Sequence, residues 1–130
     1  DKVFDQELKK MLTDEKNLIL ETKLAGFNAQ NIPGVFKILV VCEDSAGVDH
    51  MDIRIDRLIN REQQSLESAK QEVIEREKND IDKWRRMYAN GDPNWIYWDR
   101  KYYDFVVNTY SHNADESLNL VLEQLGFKKR

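Results

Sequence analysis

The chain has 130 residues, of which 41% are apolar and 34% charged, with a formal net charge of −4. That length is enough for one ordinary core, and the acidic balance argues against a nucleic-acid backbone as partner, because phosphate contacts need a basic surface. A lone Cys42 and two distant histidines, His50 and His112, exclude an internal disulfide and argue against a histidine-built metal site.

The expected protein is a single domain over residues 1–130. Its apolar runs are too short for a membrane span, which takes roughly 18–20 residues, and no signal peptide is visible. Cys42 in an apolar run reads as a small buried hydrophobe in a reducing, cytoplasmic compartment. The first residue, Asp1 rather than Met, suggests a processing boundary. Basic residues are local, at 54–61, 83–86 and 128–130, which suits a small anionic ligand better than a polymer.

In chain order, residues 1–12 read as a helix with Val3, Phe4, Leu8, Met11 and Leu12 on one side. Asn17-Leu-Ile-Leu-Glu is a short buried strand, followed by the loop Thr22-Lys-Leu-Ala-Gly. Pro33-Gly34 makes a second break. Residues 36–42 form a nearly continuous apolar strand, as in a central parallel sheet. A helix is expected from Met51 to about Arg61, then a long one, capped by Ser65 or Ser68, to about Tyr88. Asn90-Gly-Asp-Pro stops it. An aromatic run, Trp95 to Tyr103, leads into a third strand at 104–108. Asn113-Ala-Asp-Glu opens the last helix, 117–125, and Gly126 closes it. Strands alternating with helices give an α/β class with a parallel sheet.

Three sets of residues carry candidate chemistry. Arg57 and Arg61 share one helix face and can converge on one anion; the bland alternative is a solvated basic face. Arg76, Asp80 and Lys83 make a second stripe, either a cation set bridging transferring phosphates or a surface ion-pair ladder. Lys23 with Gly26 follows a strand end, where α/β sheets bind ligands, or lies in a plain loop. The aromatic run is either a base-stacking surface or packing. No Gly-x-x-x-x-Gly-Lys-Ser/Thr phosphate loop is present.

Together these pieces resemble one family. The ordered segments are Asn17-Leu-Ile-Leu-Glu-Thr-Lys-Leu-Ala-Gly-Phe, Phe36-Lys-Ile-Leu-Val, Ile55-Asp-Arg-Leu-Ile-Asn-Arg-Glu, Ser65-Leu-Glu-Ser-Ala-Lys-Gln-Glu-Val-Ile-Glu-Arg-Glu and Tyr103-Asp-Phe-Val-Val-Asn-Thr. They are similar to the cytidylate kinases, especially the compact archaeal-type branch, over nearly the whole chain. The resemblance implies the parallel α/β sheet of a P-loop nucleoside monophosphate kinase. Only its C-terminal strands and helices are represented, plus a helical lid at about residues 62–88. It implies transfer of the terminal phosphoryl group of ATP, as its Mg²⁺ complex, to CMP or dCMP in the cytoplasm, with no nucleic acid or membrane as partner.

The same resemblance implies residue roles. Arg57 would lie over the ATP base and Arg61 on its phosphates, with Asn108 and Thr109 near the base. Arg76, Asp80 and Lys83 match the lid's catalytic set, lysine standing for the last arginine. Lys23 and Gly26 match the loop that binds the monophosphate, with lysine where arginine is usual and Thr22 where glycine is usual. The family's phosphate loop would precede Asp1, and its first strand lies between its third and fourth. The sheet is therefore expected to have a slot beside residues 18–20 and 38–40, to be filled by a complementary N-terminal segment. Two rivals remain: an inactive remnant that binds a nucleotide or a protein, and a helical interaction protein, against which the strand patterns argue.

Overall fold

The computed structural model describes residues 2–63 and 65–127; Asp1 and the basic cluster at 128–130 lie outside the described residues. The elements are helix α1 (Lys2–Asp14), the short helix α2 (Ala25–Asn28), strand β1 (Ile38–Val41), α3 (Met51–Glu62), α4 (Leu66–Tyr88), a 3-10 turn (Arg100–Tyr102), β2 (Phe105–Asn108) and α5 (Ala114–Gln124). Among the described residues no helix is long and apolar enough to cross a membrane. The chain falls into two compact units: one holds the residues up to Leu39 and Arg85 to Val106, the other Val40 to Trp84 and Val107 onward.

β1 and β2 pair in parallel, and both strands contribute to both units. In the first unit the Phe105 N–H donates to the Lys37 carbonyl at 3.1 Å; in the second the Thr109 N–H donates to that of Val41 at 2.8 Å. Asp104 fixes the start of the register. Its Oδ2 accepts from the Lys37 N–H at 2.8 Å and faces the Lys37 ammonium at 3.2 Å. The backbone bond first, and then the ammonium, hold its carboxyl below the usual range.

The first unit is built on aromatic rings. Phe27 of α2 sits 5.1 Å from Tyr88, 5.3 Å from Trp95 and 5.1 Å from Tyr102, tilted or edge-on to each. Such pairs add about 0.5–1.5 kcal/mol each beyond the area they bury. The polar tips are satisfied locally: the Trp95 Nε1–H donates to the Tyr102 hydroxyl at 3.1 Å, and the Arg85 Nε–H to the Trp95 carbonyl at 3.0 Å. The aromatic run therefore packs a core. Asp5 of α1 is buried because the Tyr88 hydroxyl donates to it, and burial with that carboxylate pushes the phenol's pKa up.

One expected element is absent. Residues 17–21 form no strand, and Ile19 is 94% exposed. Three apolar residues make a strand only where a neighbour takes their N–H and C=O groups. Among the described residues the sheet has two strands, and this segment is in neither. The loop expected at 22–26 instead turns into α2, which the short apolar run did not signal.

The second unit buries Cys42, Ile55, Ala69, Trp84 and Val107. α5 starts one turn earlier than expected, behind a reciprocal cap: Asn113 accepts from the Glu116 N–H at 2.8 Å while Glu116 accepts from the Asn113 N–H at 3.0 Å. α3 ends where Gln63 adopts left-handed backbone (φ 53°), and the Ser65 hydroxyl accepts from the Ser68 N–H at 3.2 Å as α4 begins.

Candidate functional site

The second unit gathers its candidate residues where the strands end. Thr109 follows β2, and its hydroxyl donates to the Val41 carbonyl at 2.9 Å. That hydroxyl also accepts from Arg57 Nη1 at 2.9 Å, while Arg57 Nη2 donates to the Thr109 carbonyl at 2.8 Å. The guanidinium fork of α3 is thereby fastened to the end of β2 by two bonds. The buried thiol of Cys42 lies 4.0 Å from Nη1.

Asn108 is spent on the same junction. Its Oδ1 accepts from the Glu43 and Tyr110 N–H groups, each at 3.0 Å, and its Nδ2–H donates to the Glu43 carbonyl at 2.8 Å. The amide thus closes the two chain segments leaving the sheet. The family resemblance implies Arg57, Asn108 and Thr109 near one base; the structure joins Arg57 to Thr109, while Asn108 bonds Glu43 and Tyr110.

The loop from Glu43 to His50 is tied beside them. Asp44 Oδ1 accepts from the Ala46 and Val48 N–H groups at 2.9 and 3.0 Å. His50, at the N-terminus of α3, places Nε2 at 3.0 Å from Asp44 Oδ2 and Nδ1 at 3.3 Å from Asp52 Oδ1. Carboxylates facing both ring nitrogens favour the imidazolium, in which both nitrogens can donate. The Asp44 bond raises the His50 pKa above its ordinary value, desolvation opposes this, and Asp52 adds to it. The ring lies 4.5 Å from that of Tyr110.

Arg76, Asp80 and Lys83 lie on α4. Arg76 Nη2 pairs with Glu72 Oε1 at 2.9 Å, one turn back, and its side chain is 64% exposed. Lys83 is exposed, with its ammonium 5.2 Å from the Trp84 ring, and Asp80 is half-buried. Arg61 is exposed in the last turn of α3. In the first unit, Lys23 is exposed in a turn and Gly26 is buried. A Cβ on Gly26 would collide with the Tyr103 ring, so close packing explains that glycine.

Sequence reasoning missed Arg54, His50 and Tyr110. Arg54 carried a signal, since it lies three residues before Arg57 on the same helix face. The His50 cluster had none, because Asp44 reaches it only through the turn of the loop. Among the described residues no group of three histidine, cysteine, aspartate or glutamate side chains gathers to hold a metal ion.

Comparison with known proteins gives one consistent result. The cytidylate kinase of Archaeoglobus fulgidus is 26% identical over 129 residues, covering 99% of this chain and 64% of the relative. That of Methanosarcina barkeri is 26% identical over 93% of this chain and 61% of the relative. That of Methanosphaera stadtmanae is 24% identical over 99% and 66%. No protein-family profile matches the chain, and no solved structure does. The chain spans less than two thirds of the length of these relatives, and over nearly all of its own length it is similar to archaeal cytidylate kinases.

Proposed function

We propose that the chain supplies the lid and C-terminal sheet half of a nucleoside monophosphate kinase acting on CMP or dCMP. The observation that supports this most directly is the fastening of Arg57 to Thr109 at the strand ends, in a chain similar along its length to cytidylate kinases. ATP enters as its Mg²⁺ complex, with its base beside Arg57, Asn108 and Thr109 and its phosphates near Arg61. Lys23 and the Gly26 turn hold the acceptor monophosphate. A phosphate loop on a complementary N-terminal segment cradles the donor phosphates.

Transfer is direct and in line. An oxygen of the acceptor phosphate bonds to the γ-phosphorus, the bond to the β–γ bridging oxygen breaks, and ADP leaves. Such a reaction needs positioning and charge neutralisation more than covalent chemistry. Arg76 and Lys83 of the lid, about residues 62–88, neutralise the transferring group, and Asp80 orients them.

Arg76→Ala tests the assignment in the catalytically competent protein. It should cut turnover by roughly 100-fold, the scale of losing one charged transition-state donor. Stability should fall by less than about 0.5 kcal/mol, as for an exposed side chain. A large drop in melting temperature with turnover intact would make Arg76 a structural residue and remove the lid from the mechanism.

A further inference from the structure

Arg54 of α3 is held by two carboxylates from different elements. Its Nη2 lies 2.7 Å from Asp49 Oδ2, and its Nη1 is paired with Glu77. Asp49 belongs to the loop before α3, and Glu77 to the middle of α4. The guanidinium is half-buried, and the two carboxylates hold its pKa above the ordinary value although desolvation opposes its charge. One turn further along α3, Arg57 is fastened to Thr109. A single helix thus grips α4 with one arginine and the strand end with the next.

The point of grip on α4 has a consequence. Successive helix residues are about 100° apart. Glu77 lies on the side that carries Ala69 and Trp84, both buried. Arg76 is its immediate neighbour, and Lys83 falls near Arg76 around the axis. Fixing Glu77 fixes the rotation and height of that basic edge.

We propose that Arg54 is a positioning residue. Through Glu77, and braced by Asp49, it sets the Arg76–Lys83 edge of α4 relative to the α3–Thr109 anchor, without touching nucleotide itself. The functional half of this inference rests on the kinase reading; the geometric half does not.

The test uses a double-mutant cycle with two readouts. Nitroxide labels on cysteines introduced by Asp56→Cys in α3 and Lys78→Cys in α4, both exposed positions, report the spacing of the two helices. Cys42 is buried and stays unlabelled. MgATP affinity is measured on the same proteins without labels. Arg54→Gln and Glu77→Gln should each broaden the distance distribution and weaken MgATP binding about tenfold, and the double variant should match the single ones, because partners in one contact are not additive. Arg54→Lys should restore most of the spacing.

An unchanged distance in both glutamine variants would overturn the proposal. Additive losses of affinity would overturn it too, because Arg54 would then contact the nucleotide directly. If the wild-type chain, which carries no phosphate loop, binds no MgATP, the distance alone decides: a narrow spacing lost in Glu77→Gln upholds Arg54 as the positioning residue, and an unchanged one refutes it.

Discussion

His50 shows how a single residue joins local geometry to solution behaviour. Its ring nitrogens face Asp44 and Asp52, and its folded pKa lies above the ordinary 6.5. A raised folded pKa means that the group's stabilisation is complete below the unfolded value and drains away as pH rises through the folded one. The proton titration of His50 should therefore have a midpoint above 6.5, and Asp44→Asn should lower it. Wild-type protein should exceed His50→Gln in stability near about pH 5.5 and lose that margin in mildly alkaline solution. An unchanged midpoint in Asp44→Asn would break this account. Gly26 makes the opposite point about sequence. The resemblance places it in a monophosphate-binding turn, and the structure adds a packing reason for glycine, a ring against its Cα. Gly26→Ala should cost about 1–3 kcal/mol in denaturant unfolding, the cost of overpacking. No one-dimensional pattern reveals a clash with Tyr103, 77 residues on.

At the scale of elements, what was legible depended on whether the signal was local. Asn113 and Glu116 are three residues apart, so the cap of α5 could be read directly, and Asn113→Ala should cost about 1 kcal/mol of stability by thermal unfolding. The apolar runs at β1 and β2 were equally readable, and each pairs with the other. Residues 17–21 have the same local character and form no strand, because pairing is a property of two segments. Ile19, at 94% exposure, and Val3, at 70%, show apolar pattern and burial disagreeing. The aromatic run resolved toward packing, since Trp95 and Tyr102 both seat Phe27. Phe27→Ala should remove about 3 kcal/mol from the first unit, measured by urea unfolding followed at tryptophan.

At the scale of the whole molecule, composition excluded more than it identified. An acidic, single-cysteine chain of 130 residues fits many binding proteins and enzymes. The order of segments narrowed it, and the relatives agree with that order. Family resemblance singled out Arg57, Asn108 and Thr109, and the structure fastens Arg57 to Thr109 at the strand end. At Arg54 only the spacing to Arg57 was legible; its carboxylate partners lie in two different elements and were not. Arg76 pairs with Glu72 one turn back on its own helix, a contact that its spacing in the sequence allows.

The central claim is that this chain contributes the lid and C-terminal half of a CMP or dCMP kinase. The most direct measurement is a coupled ATP–Mg²⁺ assay with CMP, dCMP, UMP and AMP. It is run on the chain alone and on the chain joined to the part of the Archaeoglobus fulgidus cytidylate kinase outside the match. The account predicts turnover in the joined protein, fastest with CMP or dCMP and lost in its Arg76→Ala form. A folded joined protein that phosphorylates none of the four, or that is indifferent to Arg76, would contradict it.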